Sequence, residues 1–108
     1  MAMGGMGNMN KIMKQAQKMQ ADMAKVQEEL GNDRVDGSAG GGMVTVTATG
    51  QGDVVAVRVD PQIFEEADVE MLEDLILAAV NDALRRSKQL AEEKMGRITG
   101  GLGSMGLF

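Results

Sequence analysis

At 108 residues, with 16 acidic against 11 basic side chains and a net charge of −5, the chain has room for one domain and a modest core. It contains no cysteine and no histidine, which excludes disulfides, thiolate chemistry and the Ser–His or Cys–His pairs of nucleophilic catalysis. Zinc would find only carboxylates, no run of about 18 apolar residues is available to span a membrane, and the acidic balance taken alone argues against nucleic acid.

Residues 1–7 are glycine-rich and are expected to be a flexible tail, with no unbroken apolar stretch that would mark a secretory signal. Asn8 is a suitable N-cap for a helix running to about Leu30, where Gly31-Asn32 stops it. Inside it Met9, Ile12, Ala16, Met19, Met23, Val26 and Leu30 follow a 3–4–3–4 spacing, an apolar seam that wants another helix beside it. Packing is the ordinary role of such methionines. Lys11, Lys14, Lys18 and Lys25 fall within about 60° of one another on the opposite side. Such a row is commonly just a solvated face. Here no acidic residue precedes Asp22, and lysines in the first turns of a helix oppose its macrodipole, so stability does not explain them.

Arg34–Ser38 is a short strand candidate, followed by the glycine-rich stretch Ala39-Gly40-Gly41-Gly42. That stretch leads into a strand without a Gly-Lys-Ser/Thr, so it reads as a turn and not as a phosphate-binding loop. The β-branched runs Val44–Thr49 and Val54–Val59 flank Gly50-Gln51-Gly52-Asp53, a hairpin in which glycine supplies positive φ. With a side-chain period of 2, Val44, Val46 and Ala48 share one face, and on the return strand Val55, Val57 and Val59 share one. A two-stranded ribbon is marginal alone, so its apolar face needs a cover, and both flanks of the hairpin are helical in pattern.

Asp60-Pro61 closes the third strand, and Gln62-Ile63-Phe64 should form one helical turn with Phe64 as its anchor. From Asp68 the helical pattern returns through Val69, Leu72, Leu75, Ile76, Ala79, Val80, Ala83 and Leu84, and then Leu90, Ala91 and Met95. The first half should lie on the sheet and the second should leave it. Gly96 and Thr99-Gly100-Gly101 are expected to end the helix, with residues 102–108 a second flexible tail. Carboxylates crowd its start (Glu65, Glu66, Asp68, Glu70, Glu73, Asp74), whereas Arg85, Arg86, Lys88, Lys94 and Arg97 lie later. A favourable helix start explains the carboxylates better than a magnesium site or acid–base work does. If the two helices run antiparallel from one end of the sheet, all these cations join Lys11, Lys14 and Lys18 in one basic tip.

Met13-Lys14-Gln15-Ala16-Gln17-Lys18-Met19-Gln20, Gly37-Ser38-Ala39-Gly40-Gly41-Gly42, Asp60-Pro61, Leu72-Glu73-Asp74-Leu75-Ile76, Ala79-Val80-Asn81-Asp82-Ala83 and Thr99-Gly100-Gly101, in this order, resemble the YbaB/EbfC family of nucleoid-associated proteins. The resemblance covers nearly the whole chain. It implies an α+β fold with an α-β-β-β-α protomer, a three-stranded antiparallel sheet and two long projecting helices. It also implies a tweezer-like homodimer that binds DNA, works in the cytoplasm and nucleoid, and acts in nucleoid organisation and gene expression. The residues then suggested for DNA are Lys11, Lys14, Lys18, Lys25, Arg85, Arg86, Lys88, Lys94 and Arg97, and for the dimer Val55, Val57 and Val59. The partners expected are double-stranded DNA and a second copy, with no cofactor, metal, membrane or small-molecule substrate. Almost no aromatic residues are available to stack on bases, which favours duplex over single strands. The competing expectation is a dimeric scaffold that docks another protein on the methionine seam, since such faces adapt to varied partners.

Overall fold

The two β-branched runs pair as an antiparallel hairpin. β2 (Val44–Thr49) and β3 (Val54–Val59) match Val44 with Val59 and Val46 with Val57, while β1 (Arg34–Ala39) lies antiparallel on the other side of β2. The computed structural model describes the backbone of residues 2–104 and the side chains of residues 8–98. Around the β1-β2-β3 sheet it places α1 (Ala2–Asn32), a single turn α2 (Ile63–Glu66) and α3 (Val69–Ser104). The fold is α+β, with the α-β-β-β-α order the resemblance implied and the expected single helical turn before the last helix.

A bulge between Thr47 and Ala48 refines the hairpin. Ala48 takes Val54 as its partner and Val55 is the extra residue, so the strict alternation Val55, Val57, Val59 does not hold to the end of β3. At the turn only Gly52 has a positive φ, +90°. Gly50 serves a different purpose: a Cβ there would lie 2.7 Å from Leu30 Cδ2 and 2.9 Å from the Leu30 carbonyl oxygen. The hydroxyl oxygen of Thr49 accepts the Gln51 and Asp53 N–H groups and closes the loop from inside.

α3 covers β1 and β2. Its small residues Ala79, Ala83 and Ser87 recur every four positions and are buried against the sheet, which lets the helix settle onto the strand backbone. Gly37 on β1 makes this possible, because a Cβ at that position would stand 2.2 Å from the Ala83 nitrogen. Val44, Val46, Ala48 and Ile63 complete the buried core, with Leu72, Leu75, Ile76 and Val80 packed around it. The buried Ser87 hydroxyl donates to the Thr49 carbonyl at 2.7 Å. Asp68 accepts the Met71 N–H at 2.8 Å and so caps the start of α3.

Four expectations need correction. Phe64 is 71% exposed and Ile63, at 1%, is the anchor of α2, because the Asp60 carboxylate takes the Gln62 N–H and turns Ile63 inward. Val69 and Leu84 are exposed and not part of the sheet-facing stripe. Both long helices outrun their expected ends, α1 starting at Ala2 and α3 continuing to Ser104. A glycine costs a helix only about 1 kcal/mol relative to alanine, and no proline stands in either segment to block it. Since α1 begins nine residues before Lys11, the lysines lie beyond the turn where the macrodipole acts, and the expected dipole penalty disappears. Of the tails at 1–7 and 102–108, Met1 and residues 105–108 lie outside the described residues, and the backbone of 2–7 and 102–104 belongs to the helices.

Among the described residues α1 meets the rest of the molecule through its second half, where Asp22, Lys25, Val26 and Glu29 face α3 and the last turns meet the β2–β3 loop. Leu30 is buried beneath Gly50, whose N–H donates to the Leu30 carbonyl at 2.8 Å, and Gln51 Nε2 donates to the Gln27 carbonyl at 2.7 Å. Arg34 caps the helix end by donating to the carbonyls of Gly31 and Asp33. The seam expected to find a helix partner therefore stays open over most of its length: Met9, Ile12 and Met23 are exposed, and only Met19, Val26 and Leu30 are partly or fully covered. With α1 projecting, the molecule measures 79 × 21 × 16 Å.

Candidate nucleic-acid interface

The nine basic residues suggested for DNA divide into three groups, set by where each helix stops touching the sheet. The first group is on α1. Lys11, Lys14, Lys18 and Lys25 are all exposed, and none has an ion pair among the described residues. They run for about 21 Å along the helix axis, the rise of roughly six base pairs.

The second group sits over the sheet. Arg85 and Arg86 bracket Asp82 at 2.8 and 3.3 Å, and the same carboxylate accepts the Ser38 N–H at 3.0 Å. The Arg85 hydrogen bond, helped by that N–H and by the Arg86 charge, holds the Asp82 carboxyl below the usual carboxylate range. Both guanidinium groups are more than half exposed, so these pairs are weak ones. Lys88 is exposed beside them with no ion pair among the described residues.

The third group lies where α3 leaves the sheet and crosses α1. A cleft of about 290 Å³ opens there between Asp22, Lys25, Val26 and Glu29 of α1 and Lys94, Arg97 and Ile98 of α3. Lys94 donates to Asp33 at 2.5 Å and lies 3.6 Å from Glu29. The hydrogen bond to Asp33 raises the Lys94 pKa above its ordinary value. Arg97 pairs with Glu93 at 3.2 Å. Pairing of residues 22–29 with 94–98 makes the two helices antiparallel at this crossing, as expected.

The single basic tip is not formed. Lys14 is some 22 Å along α1 from Glu29, and Arg86 is about 12 Å along α3 from Lys94 in the opposite direction. The sheet-side arginines thus stand roughly 34 Å from the middle of the lysine row. The offset arises because α3 spends residues 75–90 on the sheet before it reaches α1, while α1 projects from its very end. The acidic start of α3 lies at the far end of the sheet, where Leu75 approaches Gly40. Pattern analysis missed the acid partners of Lys94, since Glu29 and Asp33 sit on another element over 60 residues away in sequence.

The apolar surface is similarly divided. α3 reaches the inner face of β1 and β2 but hardly covers β3, whose Val54, Val55 and Val57 are about half exposed. Val59, the third residue suggested for the dimer, packs partly against the core. Met71 and Leu77 on α3 are exposed as well. Among the described residues no group of three or more acidic side chains is placed to hold a metal ion, and no helix is long and apolar enough to cross a membrane.

Comparison with known proteins settles the lineage. Residues 6–102 match the model of the YbaB/EbfC DNA-binding family. The chain belongs to that family. A nucleoid-associated protein of Pelotomaculum thermopropionicum is 52% identical over 102 residues, covering 94% of this chain and 97% of its own. Another from Acetivibrio thermocellus is 53% identical over the full length of both chains. Among solved structures, an uncharacterised protein from Helicobacter pylori is similar in fold, with a TM-score of 0.65 and 22% identity over 86% of this chain and 94% of that one. Family membership thus rests on most of the sequence, including both long helices and the sheet between them.

Proposed function

We propose that this protein is a homodimeric, nucleoid-associated DNA-binding protein of the cytoplasm that grips duplex phosphates with the lysine row of α1. The observation that carries the reading is the row itself: Lys11, Lys14, Lys18 and Lys25 project on a helix that packs against little else and carries no acid before Asp22. The family description and the names of the relatives point the same way. Because the whole protein carries −5, its mean field repels DNA, and binding depends on local contacts whose counterion release outweighs that field. Arg85, Arg86 and Lys88 form a secondary contact group over the sheet. The half-exposed valines of β3 supply the dimer surface, since a bare apolar edge strand needs a partner and a second copy has the matching one. Phosphate contacts carry little sequence information, so binding tolerates many sequences, in keeping with a role in nucleoid organisation and broad effects on gene expression.

The test is a fluorescence titration of duplex DNA at several salt concentrations. About four neutralised phosphates give log K a slope of roughly −3 to −4 against log salt. Replacing Lys14 and Lys18 together by Glu should weaken all duplex sequences alike and flatten that slope by about 2, with folding unchanged by circular dichroism. Reversing Glu70 and Glu73 should matter far less. An unaltered affinity in the Lys14/Lys18 variant overturns the assignment to α1. Absence of binding by the wild type at low salt leaves the second reading, in which the exposed Met9, Ile12, Met13 and Met23 dock another protein.

A further inference from the structure

We propose that Lys94 is a positioning residue and not a phosphate contact: bridging Asp33 and Glu29, it latches α1 to α3 and sets the angle at which the lysine row is presented. This rests on the assignment of that row to DNA. Three observations support it. Leu30 beneath Gly50 is the one fully buried side chain among the described residues of α1, whereas Met19 and Val26, farther out, are only partly covered, so the helix can swing about that end. Lys94 reaches across from α3 to the two acids flanking that point, Glu29 within the helix and Asp33 just beyond it, and its side chain is only 20% exposed. Finally, two carboxylates already meet its one charge, so a phosphate would have to displace Asp33 and approach past Glu29.

The leverage is large. Lys14 lies about 24 Å along the helix from Leu30, so a swing of about 20° moves it by about 8 Å, more than the rise of two base pairs at about 3.4 Å each. A loosened latch therefore spreads the row over many registers, and DNA binding must then order the helix before it can gain from the contacts.

The chain has no cysteine, so cysteines introduced at the exposed Gln15 and Gln89 label cleanly for pulsed electron–electron distance measurements. Labelled protein is diluted into an excess of unlabelled protein to isolate distances within one protomer. The expected result is a narrow distribution in otherwise wild-type protein that widens in both Lys94→Gln and Asp33→Asn without DNA present. The charge-swapped pair Lys94→Asp with Asp33→Lys should narrow it again. On DNA, Asp33→Asn decides between the roles. A latch predicts weakening of about fivefold despite the loss of a negative charge, whereas a phosphate-binding Lys94 freed from its partner predicts tighter binding. Unchanged distances in both single variants, or tighter DNA binding by Asp33→Asn, overturns the proposal. The distances are read without DNA, so a failure of the DNA assignment shows separately as absent binding by wild type.

Discussion

α1 and α3 are both more than thirty residues long, yet they are attached to the sheet in opposite ways. α3 is laid along it for about four turns, with Ala79, Ala83 and Ser87 pressed against strand backbone that Gly37 leaves bare. α1 is attached by Leu30, one hydrogen-bonded glutamine, the Lys94 bridge and a crossing with the later part of α3 in which Val26 is only partly covered. Burying one leucine contributes about 2 kcal/mol, enough to hold an end but not to immobilise a 31-residue lever. The contrast separates two duties. The helix that closes the core has one face committed to packing, and the one that projects leaves Lys11, Lys14, Lys18 and Lys25 and Met9, Met13 and Met23 exposed.

The largest effect should come from spoiling the close approach of α3. Gly37→Val forces side-chain atoms into the Ala83 backbone and should destabilise the fold by about 3 kcal/mol or more in urea unfolding. Next, Val57→Asp should leave the protomer folded, because Val57 is already half exposed, while converting the proposed dimer to an 11.4 kDa species in sedimentation equilibrium. Loss of the fold instead would mean that β3 is more deeply embedded than its exposure indicates. Removing charge from the projecting helix should hardly touch stability: Lys11→Ala, Lys14→Ala and Lys18→Ala combined should keep the free energy of unfolding in urea within about 0.5 kcal/mol of wild type. Any larger loss would show that the row supports the fold.

The smallest effects should come from pH, and they act on the two helices from opposite sides. The folded-state pKa of Asp82 is depressed, so its contribution is complete above the unfolded value of about 4 and is lost as pH falls through the folded value. Acid should therefore release the α3–β1 joint at Ser38 first. The folded-state pKa of Lys94 is raised, so its contribution is complete below the unfolded value of about 10.4 and is lost as pH rises through the folded value. Alkali should loosen the α1 latch while the sheet persists. Thermal melts from pH 3 to 11, with the Gln15–Gln89 distance followed in parallel, would resolve the two. Coincident loss of both joints at either extreme would contradict the division.

What the sequence determined by itself were the features that depend on neighbours in the chain. The hairpin at Gly50–Asp53, the lysine row at 11, 14, 18 and 25 and the departure of α3 from the sheet after its first half all follow from local periodicity and turn chemistry. The order of family motifs along the chain was equally legible. What the tertiary structure decided were features set by contacts between distant segments. β2 and β3 are both short valine-rich strands, yet β2 is buried and β3 exposed, because strand order put one at the centre of the sheet and the other at its edge. Gly37 and Gly50 read as a strand residue and a turn residue, and only three-dimensional packing makes each the one residue that fits beneath a helix backbone or a leucine. Lys94 looked like any other cation in the second half of α3 until folding brought Asp33 and Glu29 against it. Periodicity reports which face a residue is on, and charge reports its sign, but neither reports what that face meets.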